Sequence, residues 1–145
     1  MPHIQAKEHL CLGCKLCEIQ CMVAHSRSRK ILKAYIQERD TISSRILVEG
    51  TCRVSFAVQC RHCEEAPCVE GCITGAMTKD PETGVVLCDS DKCVGCLMCV
   101  MVCPCGAVLR NPGGKIVSKC DLCISHGLPA CVENCPNEAL SYVED

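Results

Sequence analysis

The sequence predicts a small α+β protein assembled from four copies of one unit, in which a cysteine-bearing loop leads into a short helix, a turn and a strand. Nineteen of the 145 residues are cysteine, far above ordinary usage. Sixteen of them form four groups, and each group ends in a C-x3-C pair: CEIQC, CVEGC, CVMVC and CVENC. Only three residues are aromatic and none is tryptophan, so a core of ordinary side chains alone would be marginal. Bound metal clusters are therefore expected to fill the interior and contribute to folding.

The first cysteine group opens the chain, and a long cysteine-poor segment, residues 22–59, follows it. The group consists of Cys11, Cys14, Cys17 and Cys21. In residues 25–40 the apolar side chains recur at helical spacing, which predicts a helix. Residues 45–59 are typical of two short strands that turn around Glu49–Thr51. This segment is thus predicted to be a helix followed by a hairpin.

The other three groups alternate with predicted hairpins. Residues 73–92 turn at Asp80–Gly84 and residues 106–119 turn at Asn111–Gly114, where proline and glycine favour turns. A short strand and an acidic tail end the chain. In three of the four units, Gly-Ala or Glu-Ala follows the closing cysteine and leads into a strand. The three groups are Cys60, Cys63, Cys68 and Cys72; Cys93, Cys96, Cys99 and Cys103; and Cys120, Cys123, Cys131 and Cys135.

The spacing within the third group indicates iron–sulfur chemistry. KCVGCLMCVMVCP carries the C-x2-C-x2-C-x3-C-P run, in which three thiolates bind one [4Fe–4S] cluster and the fourth cysteine ligates a second cluster. The first group has the same spacing. One such run requires a partner run, and the chain supplies three more groups.

Zinc sites and disulfide bonds are two other common uses of cysteine. Zinc takes four ligands as two pairs and leaves no use for a third cysteine at the same spacing, although the longer third gaps of groups two and four leave zinc open when those groups are considered alone. A secreted disulfide protein needs a leader peptide, whereas MPHIQAKEHL is polar and no apolar run reaches the ~18 residues of a membrane span. We therefore expect a cytoplasmic protein without disulfides.

The four groups in this order resemble the four-cluster, ferredoxin-like electron-transfer subunits of the dimethyl sulfoxide reductase iron–sulfur type. Within that family, QCRHCEEAPCVEGCITGAM, KCVGCLMCVMVCP and KCDLCISHGLPACVENCP look most like the subunit associated with carbon monoxide dehydrogenase. The AHSRS that follows Cys21 points the same way. One departure is that Cys72 is followed by Ile73 and not by proline, so its turn is less constrained.

The resemblance implies two nested bacterial-ferredoxin-like modules that hold four [4Fe–4S] clusters. An outer module would comprise residues 1–55 and 110–145, with the segment 22–59 as an insertion, and an inner module residues 56–109. Groups one and four, and groups two and three, would exchange their last cysteines. The implied ligand sets are Cys11, Cys14, Cys17 and Cys135 (cluster 1); Cys60, Cys63, Cys68 and Cys103 (cluster 2); Cys93, Cys96, Cys99 and Cys72 (cluster 3); and Cys120, Cys123, Cys131 and Cys21 (cluster 4).

Several other residues have an ordinary and a functional interpretation. Cys52 and Cys88 are read as small buried hydrophobic residues, and Cys105 as the same or as a residue that tunes a neighbouring cluster. We expect His62 to make a hydrogen bond to backbone or solvent, with ligation or tuning as the alternative. A basic run is interpreted as a solvated helix face or a docking surface for an acidic partner; it consists of Arg27, Arg29, Lys30 and Lys33.

The predicted function is electron transfer without catalysis. No nucleophile–base pair, phosphate loop or nucleotide fingerprint stands out. The net charge of −2 would become about −10 once ligating thiolates and cluster cores are counted, which argues against nucleic-acid binding. The resemblance implies carbon monoxide dehydrogenase as donor and a hydrogenase or a flavin-dependent NAD(P) oxidoreductase as acceptor. The alternatives are a subunit of a formate dehydrogenase, hydrogenase or molybdenum oxidoreductase complex, an iron–sulfur sensor and a structural zinc protein.

Overall fold

The computed structural model describes residues 1–51, 53–114 and 116–144, so the expectation for Cys52 lies outside the described residues. Short helices alternate with short strands along the chain. The α-helices are α1 (Leu16–Ala24), α2 (Ile31–Gln37), α3 (Pro67–Glu70), α4 (Met98–Val102) and α5 (Ala130–Glu133). The strands are β1 (His3–Ala6), β2 (Leu47–Gly50), β3 (Ser55–Val58), β4 (Met77–Lys79), β5 (Val86–Cys88), β6 (Leu109–Arg110), β7 (Val117–Ser118) and β8 (Leu140–Val143). This is the small mixed fold of short helices and hairpins that the sequence predicts.

The strands pair in twos, always antiparallel. The three predicted hairpins are confirmed as β2–β3, β4–β5 and β6–β7. The predicted final strand is β8, and its partner is β1 at the other end of the chain, with Ile4 opposite Tyr142. Sequence reasoning did not predict β1, because only Ile4 among its four residues is buried and so short a segment shows no clear alternation.

The helix predicted over residues 25–40 forms only at Ile31–Gln37. His25 ends α1, and Arg29 has a left-handed φ of 51° that interrupts a helix. The Glu38 carboxylate accepts hydrogen bonds from the backbone N–H groups of Arg27 and Ser28 at 2.9 and 3.2 Å. Residues 26–28 form a bend, and these side-chain bonds hold Arg27 and Ser28 outside a helix. Hydrophobic spacing alone does not show this effect.

Buried apolar residues form two clusters. One combines residues from both ends of the chain with the 22–59 segment; it contains Ile4, Cys17, Cys21, Ile46, Val48, Ala57, Val85, Leu122, Cys131 and Leu140. The other consists of Ala66, Cys68, Met77, Val86, Cys99, Val108 and Val117. Helix α1 packs against α5 in the first cluster, and α3 packs against α4 near the second. Val85 and Val86 belong to different clusters, since successive residues of an extended chain face opposite sides.

Among the described residues, no helix combines the length and the apolar character that crossing a bilayer requires.

Candidate metal centre

The third cysteine of every group is the second residue of a short helix. Cys17 lies in α1, Cys68 in α3, Cys99 in α4 and Cys131 in α5. All four of these cysteines are buried. The fourth cysteine, Cys21, lies one turn further along α1; in the other groups it lies at or just beyond the end of the helix. The repeat in the sequence is therefore also a repeat in the structure. In each unit the third cysteine is buried, and the fourth cysteine lies one helical turn or more further along the chain.

A left-handed residue bends each loop just before its second cysteine. Gly13 and Gly95 occupy this position in groups one and three, with φ of 68° and 71°. His62 and Leu122 occupy it in groups two and four, with φ of 48° and 57°. A non-glycine residue is sterically disfavoured in this region. The bend is nevertheless present in all four loops, including the two that lack glycine at this position.

Three of the predicted cysteine quartets each line a cavity of similar size. The atom-free space in these cavities, counted together with the open solvent at their mouths, is about 420, 350 and 310 Å³. The first is lined by Cys11, Cys14, Cys17 and Cys135, the second by Cys60, Cys63, Cys68 and Cys103, and the third by Cys72, Cys93, Cys96 and Cys99. In each cavity, three sulfurs come from one group and the fourth comes from another.

The members of the fourth predicted quartet interact electrostatically at the Cys131 thiol. Burial raises the pKa of Cys131 strongly, and Cys120, Cys21 and Cys123 add to the rise. Burial also raises the pKa of Cys120 to about 12 and that of Cys17 in the first cavity to about 11. Buried thiols hold their protons at neutral pH unless a cation replaces them, because a lone thiolate in the interior is costly.

Backbone N–H groups point at the closing cysteine of every group. The amides of Met77, Ala107 and Ala139 donate to the sulfurs of Cys72, Cys103 and Cys135 at 3.5, 3.4 and 3.3 Å. Each of these donors lies four or five residues beyond its cysteine, in or just after the Gly-Ala or Glu-Ala turn. Hydrogen bonds to sulfur stabilise the thiolate and help to set cluster potentials. Soft sulfur ligands, buried cavities and amide donors together fit iron–sulfur clusters.

Cys21 receives its hydrogen bond from a distant part of the chain. The Arg45 amide donates to the Cys21 sulfur at 3.3 Å, and the Arg45 guanidinium donates to Asp121 Oδ2 at 2.7 Å. Asp121 follows Cys120, so this ion pair ties the 22–59 segment to the fourth cysteine loop.

His25 joins the same ion pair. Its Nε2–H donates to Asp121 Oδ1 at 3.1 Å, and its Nδ1–H donates to the Cys21 carbonyl at 2.8 Å. Burial lowers the pKa of His25, but the hydrogen bonds to Asp121 and Cys21 together outweigh this effect and raise the pKa to about 9. Sequence reasoning found no signal at His25, because its partner is 96 positions away and no local motif joins them.

His62 is a structural histidine. It is 1% exposed, and its Nδ1 accepts a hydrogen bond from the Val86 amide at 3.0 Å. Burial, reinforced by the Lys119 charge, lowers its pKa to about 3. The predicted hydrogen bond to backbone is confirmed.

Two cysteines outside the quartets lie beside these cavities. Cys105 lines the cavity of Cys60 and Cys63, and Cys88 lines that of Cys93 and its partners. Burial raises the pKa of Cys88 to about 11. Neither belongs to a group with the repeated spacing.

Replacing Cys88 with serine should leave the iron content unchanged, because four other sulfurs already line its cavity. Iron and acid-labile sulfide measured on anaerobically purified protein would check this. Cys93→Ser is the matched variant, since it changes a predicted ligand in the same cavity. A loss of about four irons in the Cys88 variant would show that this cysteine is a ligand.

A protein-family model described as a 4Fe-4S dicluster domain matches residues 52–145. The chain belongs to this family. The dicluster domain match includes the second, third and fourth cysteine groups.

The dicluster domain protein is also similar to proteins with curated names. HydN of Escherichia coli K12, named an electron transport protein, is 36% identical over 92% of this chain and 83% of HydN. PhsB of Salmonella typhi, named a thiosulfate reductase electron transfer subunit, is 36% identical over 93% of this chain and 71% of PhsB. The putative oxidoreductase AegA of E. coli K12 is 39% identical over 98% of this chain, which spans only 22% of AegA.

A solved structure shares the fold. It is that of the active site complex BamBC of benzoyl coenzyme A reductase with benzoyl-CoA. The TM-score is 0.55 at 24% identity, and the match covers 100% of this chain and 80% of the other. At this identity the likeness is one of fold.

Proposed function

We propose that the protein is an electron-transfer subunit that holds four [4Fe–4S] clusters and performs no catalysis of its own. The single observation that carries the proposal is that three cavities are each lined by a set of four cysteines, three from one group and one from another. The electrostatic effect of Cys21, Cys120 and Cys123 on Cys131 supports a fourth set. A [4Fe–4S] cluster supplies one-electron transfer with its potential set by charge, hydrogen bonds and burial. The family match and the names of HydN and PhsB support this function.

The ligand sets proposed are those implied by the resemblance. The fourth ligand is Cys135 for cluster 1, Cys103 for cluster 2, Cys72 for cluster 3 and Cys21 for cluster 4. The cavities and the packing of α1 on α5 and of α3 on α4 support this exchange. The pairing of β1 with β8 supports an outer module of residues 1–55 and 110–145 around an inner module of residues 56–109.

Electrostatic interactions between neighbouring quartets, together with helix packing, support a single row. Cys17 of the first quartet acts electrostatically on Cys131 of the fourth, and Cys60 of the second acts on Cys120 of the fourth. Helices α3 and α4 join the second quartet to the third. The proposed order is therefore cluster 1, cluster 4, cluster 2, cluster 3. Cys14 and Cys96, in the two outer quartets, are exposed to solvent, where partners could dock.

For the partners, we propose carbon monoxide dehydrogenase as donor and a hydrogenase or flavin-dependent NAD(P) oxidoreductase as acceptor, in the cytoplasm. The cysteine-loop sequences support this choice through their resemblance to the carbon monoxide dehydrogenase-associated subunit. The alternative is a formate dehydrogenase, hydrogenase or molybdenum oxidoreductase complex. The similarity to HydN and PhsB supports electron transfer in general and favours no one donor.

Anaerobic purification followed by metal analysis tests the cofactor. We expect ~16 iron and ~16 sulfide per chain, and zinc in place of iron would contradict the proposal. The donor is tested by mixing the oxidised protein with purified carbon monoxide dehydrogenase under carbon monoxide and following bleaching of the iron–sulfur absorbance. Formate dehydrogenase with formate is the matched comparison; reduction by that enzyme alone would overturn the carbon monoxide assignment and leave electron transfer intact.

A further inference from the structure

Lys119 is a buried ammonium group held by backbone carbonyls. The residue is 4% exposed. Its Nζ donates to the Val86 carbonyl at 2.7 Å and to the Cys120 carbonyl at 3.2 Å. Val86 belongs to the apolar cluster that contains Ala66 and Cys68, and Cys120 packs against the apolar cluster that contains Ile4 and Cys131. Lys119 thus lies where the two apolar clusters meet.

None of the carboxylates in residues 1–51, 53–114 and 116–144 forms an ion pair with Lys119. The nearest in sequence, Asp121, is paired with Arg45 and His25. Carbonyl dipoles satisfy the hydrogen bonds of an ammonium group but do not neutralise its charge. A buried cation without an anion is costly, and buried charges are normally paired or associated with metals. The interior must therefore supply a negative charge of another kind.

The sulfurs near Lys119 belong to two of the proposed quartets. Cys120 is the adjacent residue and belongs to the fourth. Lys119 Nζ also donates to the carbonyl of Val86, a residue that lines the cavity of the second quartet together with Cys60, Cys63, Cys68 and Cys103. Four thiolates around a cluster core carry a net charge of about −2, so both quartets become anionic when they hold clusters.

We propose that Lys119 is the fixed counter-cation of clusters 2 and 4 and raises their reduction potentials, an inference that rests on the four-cluster assignment proposed above. Adding an electron makes a cluster more negative, and a nearby positive charge stabilises that state. In the interior this interaction is screened far less than at the surface. Lys119 thereby makes the two central positions of the row easier to reduce than their sulfur ligands alone would.

A second lysine provides a matched control. Lys92 directly precedes Cys93, as Lys119 precedes Cys120. The Lys92 side chain, however, is 62% exposed and lies 3.7 Å from the Asp89 carboxylate. Water and Asp89 screen its charge, so its effect on a cluster is expected to be small.

The test is a potentiometric titration of the purified holoprotein followed by electron paramagnetic resonance. Lys119→Met removes the charge, and Lys119→Gln removes the charge but keeps an N–H donor for the carbonyls. Both variants should lower the midpoint potentials of clusters 2 and 4 by at least about 59 mV, which corresponds to a tenfold change in the oxidised-to-reduced ratio for one electron. Lys119→Arg should restore most of the shift, and Lys92→Met should change none of the four midpoints. Serine variants of Cys68 and Cys120 assign the signals.

Two results would overturn the counter-cation role: unchanged midpoints in Lys119→Gln at full iron content, or an equal shift in Lys92→Met. If Lys119→Met does not load iron, Lys119→Gln decides the question. Failure of the four-cluster assignment would be seen separately, as an iron content in the unaltered protein far below that expected.

Discussion

Replacing Cys135 with alanine should remove the cluster that we assign to Cys11, Cys14 and Cys17, at the opposite end of the sequence. The four cysteines line one cavity, and α5, which precedes Cys135, packs against α1. Without its fourth thiolate this cluster should be lost or degraded. Iron should fall from ~16 to ~12 per chain, with an equal loss of sulfide, and electron transfer through this end should cease.

A double variant makes this test sharper. Cys11→Ala should lose the same paramagnetic signal as Cys135→Ala, and the two changes combined should cost no more iron than either alone, because both act on one site. Cys105→Ser serves as a control that alters a cysteine outside the quartets. If Cys135→Ala instead removed the signal that depends on Cys120 and Cys123, the crossed ligand exchange would be wrong.

Stripping the clusters should unfold the protein. Among the residues that the structure describes, the largest fully buried side chains are Ile4, Ile46, His62, Val85, Val86 and Pro129. Cysteines make up much of the remaining interior in both apolar clusters. Structural metal can contribute about 10 kcal/mol or more to folding, comparable with the ~5–15 kcal/mol stability of a typical domain. We expect the metal-free chain to show no cooperative thermal transition by calorimetry.

Reconstitution with iron and sulfide provides the control and has a defined pH dependence. In the unfolded metal-free chain an ordinary thiol has a pKa of about 8.5, and wherever the chain folds without metal, burial raises the pKa of Cys17 to about 11 and that of Cys120 to about 12. In both states these thiols are mostly protonated at neutral pH. Ligation must release these protons, so cluster retention should strengthen as pH rises and weaken in acid. A metal-free chain that keeps a sharp transition at the holoprotein's temperature would contradict this prediction.

Residue spacing within short segments predicts those parts of the structure that depend on local sequence. The C-x3-C pairs predicted the short helices, the turns with proline and glycine predicted the second and third hairpins, and strand-like segments on either side of Glu49–Thr51 predicted the first. Local spacing does not predict features that depend on residues far apart in the sequence. Strand β1 is defined by its partner β8, and the Asp121 ion pairs with His25 and Arg45 join segments whose local sequences carry no shared pattern. The helix over residues 25–40 was predicted too long, since the Glu38 side chain competes for backbone amides that hydrophobic spacing ignores.

The source of the N–H donor to each closing cysteine bears on how the protein assembles. For Cys72, Cys103 and Cys135 the donor belongs to the next turn, so a local fragment can form it early. For Cys21 the donor is Arg45, 24 positions away, and it is held in place by Asp121 beyond two further cysteine groups. Closing a longer loop costs more entropy, so this sulfur gains its donor only after both ends of the chain have met. Maturation of the cluster that we assign to Cys21 is thus expected to depend on completion of the whole fold, whereas the N–H donors of the other three closing cysteines can form unit by unit during synthesis.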